Sequence, residues 1–120
     1  LYLGNLNAKR DWGFAPEFVE MTWMMLQIDK PEDYCVGTGE RHPIRDFLNT
    51  AFDYVNIEIE WKGGGEVEKG IVKSVETTYE QHIKSGDVLV EIDPKYFRPT
   101  EVDFLLADIS KAKKYAYVKP

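Results

Sequence analysis

Long apolar runs, partners for a disulfide and basic charge are what this sequence has least of. No apolar run among the 120 residues approaches the roughly 20 needed to cross a bilayer. The opening "LYLGNL" is too short, and too uncharged at its front, to read as a signal peptide. A single cysteine, Cys35, excludes an internal disulfide and suits a reducing compartment, so a soluble, cytoplasmic protein is expected. Lys and Arg number 15 against 21 Asp and Glu, a net charge of −6. That balance speaks against nucleic acid or an anionic membrane as partner, because phosphate backbones demand a basic face. The only histidines, His42 and His82, lie far apart, and paired-cysteine spacing is missing, so no metal site is expected. GxGxxG, a Walker loop and a nucleophile elbow are missing too. The sequence therefore offers no catalytic residue for a self-contained enzyme.

What is present is a globular composition, with 43% hydrophobic and 13% aromatic residues. The length fits one domain or part of one. Residues 1–6 read as the end of a buried strand running into a Gly-Asn turn. In "FAPEFVEMTWMMLQID", Pro16 suits the start of a helix and Pro31 its stop. Phe18, Met21, Met25 and Ile28, with Val19, Trp23 and Leu26 beside them, predict a broad buried face rather than a partner groove. "DYCVG" predicts a short buried strand, which makes Cys35 a structural thiol before it is a nucleophile. Pro43 opens a second helix, with Ile44, Phe47, Leu48, Ala51, Phe52 and Val55 at helical spacing. "IEIEW" alternates as a strand with Ile57, Ile59 and Trp61 on one face. A Gly triplet at 63–65, a brief strand "GIVKSV", a polar excursion, a strand "DVLVEID" and a last helix around "DISKAKK" complete the chain. The expected class is α/β: a small mixed α+β unit of about three helices and short strands.

Two stretches carry candidate chemistry. In "NAKRDWG", Arg10 at the end of an extended segment can present a planar guanidinium to a phosphate in bidentate fashion. Surface Lys-Arg pairs are ordinarily just solvated, so the stretch alone decides nothing. In "FRPTE", Arg98 precedes a proline, which steers its backbone toward extended geometry and so directs the side chain. Glu101 has two acceptor oxygens, matched to the two hydroxyls of a ribose. Read locally, the same residues are an Arg-Glu ion pair.

Taken in order, "LYLGNLNAKRDWG", "VEMTWMMLQIDKPEDYCVGTGE", "EVEKGIV", "SGDVLVEIDPKYFRPTEVD" and "KAKK" resemble the C-terminal part of the GDP-mannose 4,6-dehydratases. These belong to the extended short-chain dehydrogenase/reductases. The resemblance implies that residues 1–120 are a partial substrate-binding domain, and that the NADP-binding, catalytic half is not in this sequence. It implies a cytoplasmic lyase of deoxysugar biosynthesis, with GDP-mannose as substrate and NADP as cofactor. The whole enzyme would be a homo-oligomer, dimer or tetramer, and this chain alone would be inactive. In such enzymes the sugar is oxidised at C4, water leaves across C5 and C6, and the hydride returns to C6.

By the same resemblance Arg10 and Arg98 contact the GDP pyrophosphate and Glu101 holds the guanosine ribose. Leu3 lies near the guanine through backbone groups, and Lys9 is a further substrate-binding candidate. Two guanidinium groups on one diphosphate would make an acidic protein locally positive. Phe14 stands where the family has a His after "RDWG", and Ala116, Tyr117 and Val118 depart from the family's tail. Two other readings stay open: a non-catalytic nucleotide-sugar-binding or interaction module, and a related dehydrogenase/reductase acting on another nucleotide sugar.

Overall fold

The computed structural model describes residues 1–76, 82–98, 100, 102 and 105–115. In chain order its elements are β1 (Tyr2–Leu3), β2 (Lys9–Arg10), α1 (Ala15–Met25), β3 (His42–Pro43), α2 (Ile44–Tyr54), β4 (Ile57–Lys62), a 3₁₀ turn (Gly65–Val67), β5 (Lys69–Val75), β6 (Val88–Ile92) and α3 (Ser110–Tyr115). Helices and strands are thus mixed, as expected. The chain divides into two compact units, Leu1–Ala8 with Pro43–Asp103 and Lys9–His42 with Phe104–Pro120. Among the described residues, no helix is long and apolar enough to cross a membrane.

The first unit is a four-stranded sheet in the order β1-β6-β5-β4, with β1 parallel to β6 and the other pairs antiparallel. β4 alternates as its sequence requires: Ile57, Ile59 and Trp61 turn inward and the intervening Glu58, Glu60 and Lys62 are exposed. α2 begins where Pro43, extended at φ −70° and ψ 153°, supplies a start that needs no N–H. It ends at Val55, and Asn56 turns the chain through φ 56°, a left-handed conformation that Asn tolerates.

Leu48 of α2 joins Leu6, Val90 and Ile92 in the core, with Ile44, Phe52 and Trp61 packed around them. The buried stripe is narrower than the spacing suggests, because Phe47 is 59% exposed and Ala51 is exposed as well. Inward positions fall at 44, 48, 52 and 55, and residues 47 and 51 lie on one flank of that ridge, about 100° and about 55° from its centre. The opening strand is likewise not buried. β1 lies at the sheet edge, which leaves Tyr2 64% exposed.

A polar network ties α2 to the sheet. The Arg45 guanidinium donates to both Glu68 oxygens at 2.6 and 2.9 Å and to Asn7 Oδ1 at 3.0 Å. It also lies 5.0 Å from the Trp61 ring, whose Nε1 donates to Asn49 Oδ1 at 2.9 Å. The bidentate geometry explains how Glu68 can be buried with its charge matched.

The second unit departs further from the sequence pattern. In α1 only Met21 is buried, with Phe18, Met25 and the following Ile28 half-buried. Val19, Trp23 and Leu26 form the other side of the helix and are 68%, 60% and 78% exposed. The helix ends at Met25, well before Pro31, because Leu26 and Gln27 donate to Trp23 and Met24 at 3.1 and 3.0 Å and tighten the last turn. "DYCVG" is not a strand, and Cys35 is exposed rather than buried. The amides just beyond it, at Thr38 and Gly39, find a carboxylate instead of a ladder partner.

Candidate functional site

That carboxylate belongs to Asp11. β2 brings Lys9 and Arg10, both half-buried, to the start of the second unit, and Asp11 follows directly. Asp11 Oδ1 accepts from the Thr38 amide at 2.8 Å and the Thr38 hydroxyl at 2.7 Å, and Oδ2 accepts from the Gly39 amide at 3.1 Å. Burial pushes the Asp11 carboxyl up, but hydrogen bonds from Thr38, Gly39 and the Ala107 backbone outweigh it and hold the group below the ordinary carboxylate range. Gly39 sits at φ 76°, where a side chain would be strained. Arg10 turns one guanidinium nitrogen to the carbonyl of Lys9 at 2.9 Å. A cleft of about 370 Å³ opens beside it, lined by Arg10, Asp11, Phe18, Val36 and residues 105–107. The cleft thus sets one guanidinium and one hydrogen-bonded carboxylate against apolar walls.

In the first unit, Leu3 and Arg98 are organised by one turn. The Leu3 carbonyl accepts from the Asp93 amide at 2.9 Å. The Asp93 carbonyl then accepts from Tyr96 and Phe97 at 2.9 and 3.2 Å, and Asp93 Oδ1 from the Lys95 amide at 2.9 Å. Arg98 follows, exposed. Gly4 lies so close to Tyr96 that a β-carbon there would overlap its carbonyl. Leu3 is thus the last residue of β1, and Arg98 lies six residues beyond the end of its parallel partner β6.

The structure thus brings Leu3 together with the Arg98 turn in one unit, and Lys9 together with Arg10 in the other. Glu101 and Ala116–Val118 lie outside the described residues, and Phe14 is 67% exposed. A second cleft, of about 360 Å³ in the first unit, is lined by Glu66, Glu68, Glu91 and Asp93, with Lys69. Its one lysine is paired to Glu91 at 2.7 Å, so that cleft repels anions. Among the described residues no group of His, Cys, Asp or Glu could hold a metal ion. Sequence reading missed Asp11 as an organiser, together with the close approaches at Gly4 and Gly37. The only local signal was that Asp11 stands next to Arg10.

Comparison with known proteins covers nearly the whole chain. A family model described as GDP-mannose 4,6 dehydratase matches residues 1–116. A GDP-mannose 4,6 dehydratase of Dictyostelium discoideum is 50% identical over 114 residues, 95% of this chain and 29% of the relative. A GDP-mannose 4,6-dehydratase of Vibrio cholerae is 47% identical over 114 residues, 95% of this chain and 31% of the relative. The human GDP-mannose 4,6 dehydratase is 47% identical over 118 residues, 98% of this chain and 29% of the relative. The chain therefore spans a little under one third of the length of these relatives.

Proposed function

The chain belongs to the GDP-mannose 4,6-dehydratase family, and from that premise we propose that it is the substrate-binding portion of an enzyme converting GDP-mannose to GDP-4-keto-6-deoxymannose. The observation that carries this is the family match over residues 1–116, which contains both guanidinium-bearing stretches. Arg10 and Arg98 bind the diphosphate as bidentate cations, Glu101 takes the ribose, and Leu3 borders the base, with Lys9 adding positive charge near Arg10. Held by its middle, the sugar nucleotide leaves its hexose free for chemistry performed by other residues.

NADP would supply the transient oxidation at C4 and the returning hydride. This chain has no Gly-rich dinucleotide loop, so its residues do not fit that cofactor and none is assigned to it. The rest of the reading is what the family resemblance implies: a separate NADP-binding domain, a cytoplasmic homo-oligomer, and an isolated 120-residue chain without turnover. A chain given GDP-mannose and NADP should form no keto-sugar, and appreciable turnover would relocate the chemistry. In the full-length enzyme, Arg98→Ala should raise KM for GDP-mannose about tenfold, the loss of one charge-assisted contact. An unchanged KM refutes the diphosphate role. Equal affinity for GDP and UDP would favour another nucleotide sugar as substrate.

A further inference from the structure

We propose that Gly4 is a positioning residue for Arg98, acting through the room it leaves for the backbone that carries the arginine. This rests on the reading of Arg98 as a diphosphate-binding cation. The φ of Gly4 is not positive, so its backbone would accept an alanine and only space forbids one. A β-carbon there would lie 2.3 Å from the Tyr96 carbonyl oxygen, 2.9 Å from its carbon and 3.5 Å from the Phe97 nitrogen. Gly13 makes the comparison. A β-carbon on it would come as near to its neighbour, but that neighbour is the Phe18 ring, a side chain that can swing aside. A main-chain carbonyl is fixed in its planar peptide, so the turn must move with it.

That turn joins β6 directly to Arg98. The Asp93 amide donates to the Leu3 carbonyl at 2.9 Å, which ties the start of the turn to β1. The Asp93 carbonyl accepts from Tyr96 and Phe97 at 2.9 and 3.2 Å, and the Pro94 carbonyl accepts from Phe97 at 3.3 Å. Phe97 and Leu3 both pack against the core of Leu6, Leu48, Val90 and Ile92. The turn is therefore held at its start by β1 and at its end by the core, and in between it lies on Gly4. Tyr96 and Phe97 are the two residues before Arg98, so whatever moves their peptides moves the arginine's α-carbon.

Magnitudes favour a binding effect. Restoring ordinary contact with an added β-carbon requires the Tyr96 carbonyl to withdraw by about 1 Å. β1 resists yielding in its place, because the Glu91 amide donates to the Leu1 carbonyl at 3.0 Å and the Asp93 amide to Leu3. A bidentate guanidinium–phosphate pair is sensitive to such a shift, since both of its hydrogen bonds lengthen together. The hexose and the groups that act on it lie beyond the diphosphate, so the loss falls on affinity and not on the chemical step.

The test uses the full-length enzyme and reads KM and kcat for GDP-mannose together with Kd for GDP. Gly4→Ala should raise KM and Kd about tenfold, with kcat changed by less than about threefold. In the Arg98→Ala background the same substitution should add nothing further, because its effect passes through Arg98. Asp93→Ala, a milder change, removes the carboxylate that accepts from the Lys95 amide at 2.9 Å and leaves position 4 bare. It should raise KM about threefold and serves if Gly4→Ala fails to fold. An unchanged KM in folded Gly4→Ala, or in Asp93→Ala where that variant stands in, overturns the positioning role alone when Arg98→Ala raises KM. Multiplying effects in the double variant overturn it as well, since they would mark Gly4 as a general structural residue. An unchanged KM in Arg98→Ala sinks the diphosphate reading beneath it.

Discussion

The two units solve the same problem with different materials. The first stacks α2 on a sheet, buries Leu6, Leu48, Val90 and Ile92 together, and matches the buried charge of Glu68 with the half-buried Arg45. The second buries little of its helix and gathers its loops around the Asp11 carboxylate. α1 and α2 make the contrast plain, since both are 11 residues long and both are rich in apolar side chains. α2 has its apolar residues on one ridge against strands, whereas α1 spreads them round the cylinder and leaves Trp23 in solvent. Hydrophobic content therefore says how much a segment could bury, and only its angular distribution says which face does.

Breaking the Arg45–Glu68 ion pair should cost most. Glu68→Ala leaves Arg45 without its bidentate partner, and because Arg45 remains partly accessible the loss should be about 3 kcal/mol in urea denaturation. Val90→Ala in the same core, at a residue with no exposed surface, should cost about 2 kcal/mol by the same measurement.

The second unit should instead respond to acid. Because the folded-state pKa of Asp11 is depressed, its contribution is complete above the ordinary carboxylate value and disappears as pH falls through the depressed one. Asp11→Asn should flatten that acid limb in a pH series of unfolding midpoints. An unaltered limb would show that the carboxylate is not what holds the unit. The smallest effect belongs to Trp23→Ala, which should shift the stability of this chain by no more than about 0.5 kcal/mol, since the ring is already wet.

Legibility in the sequence follows the same division. The alternation of Ile57, Ile59 and Trp61 and the proline before Ile44 are local signals, and both elements formed where those signals placed them. "DYCVG" carries an equally apolar local signal, yet the chain there is irregular. The amides that follow it bond to a side chain 27 and 28 residues earlier, and no window of neighbouring sequence contains that fact. The candidate site divides likewise. Arg10 and Arg98 were visible as residue types and became specific through the family pattern. Asp11 became visible only once Thr38, Gly39 and Ala107 were placed around it.

Gly4 has a consequence for anyone who would redesign this scaffold. Its bare α-carbon is the seat on which the 93–97 turn rests, so the path of the backbone into Arg98 is decided in part more than ninety positions upstream. Mutational libraries confined to the "FRPTE" stretch would inherit that geometry unchanged. One extra methyl at position 4 would displace the turn that leads to Arg98 without altering any residue of that turn.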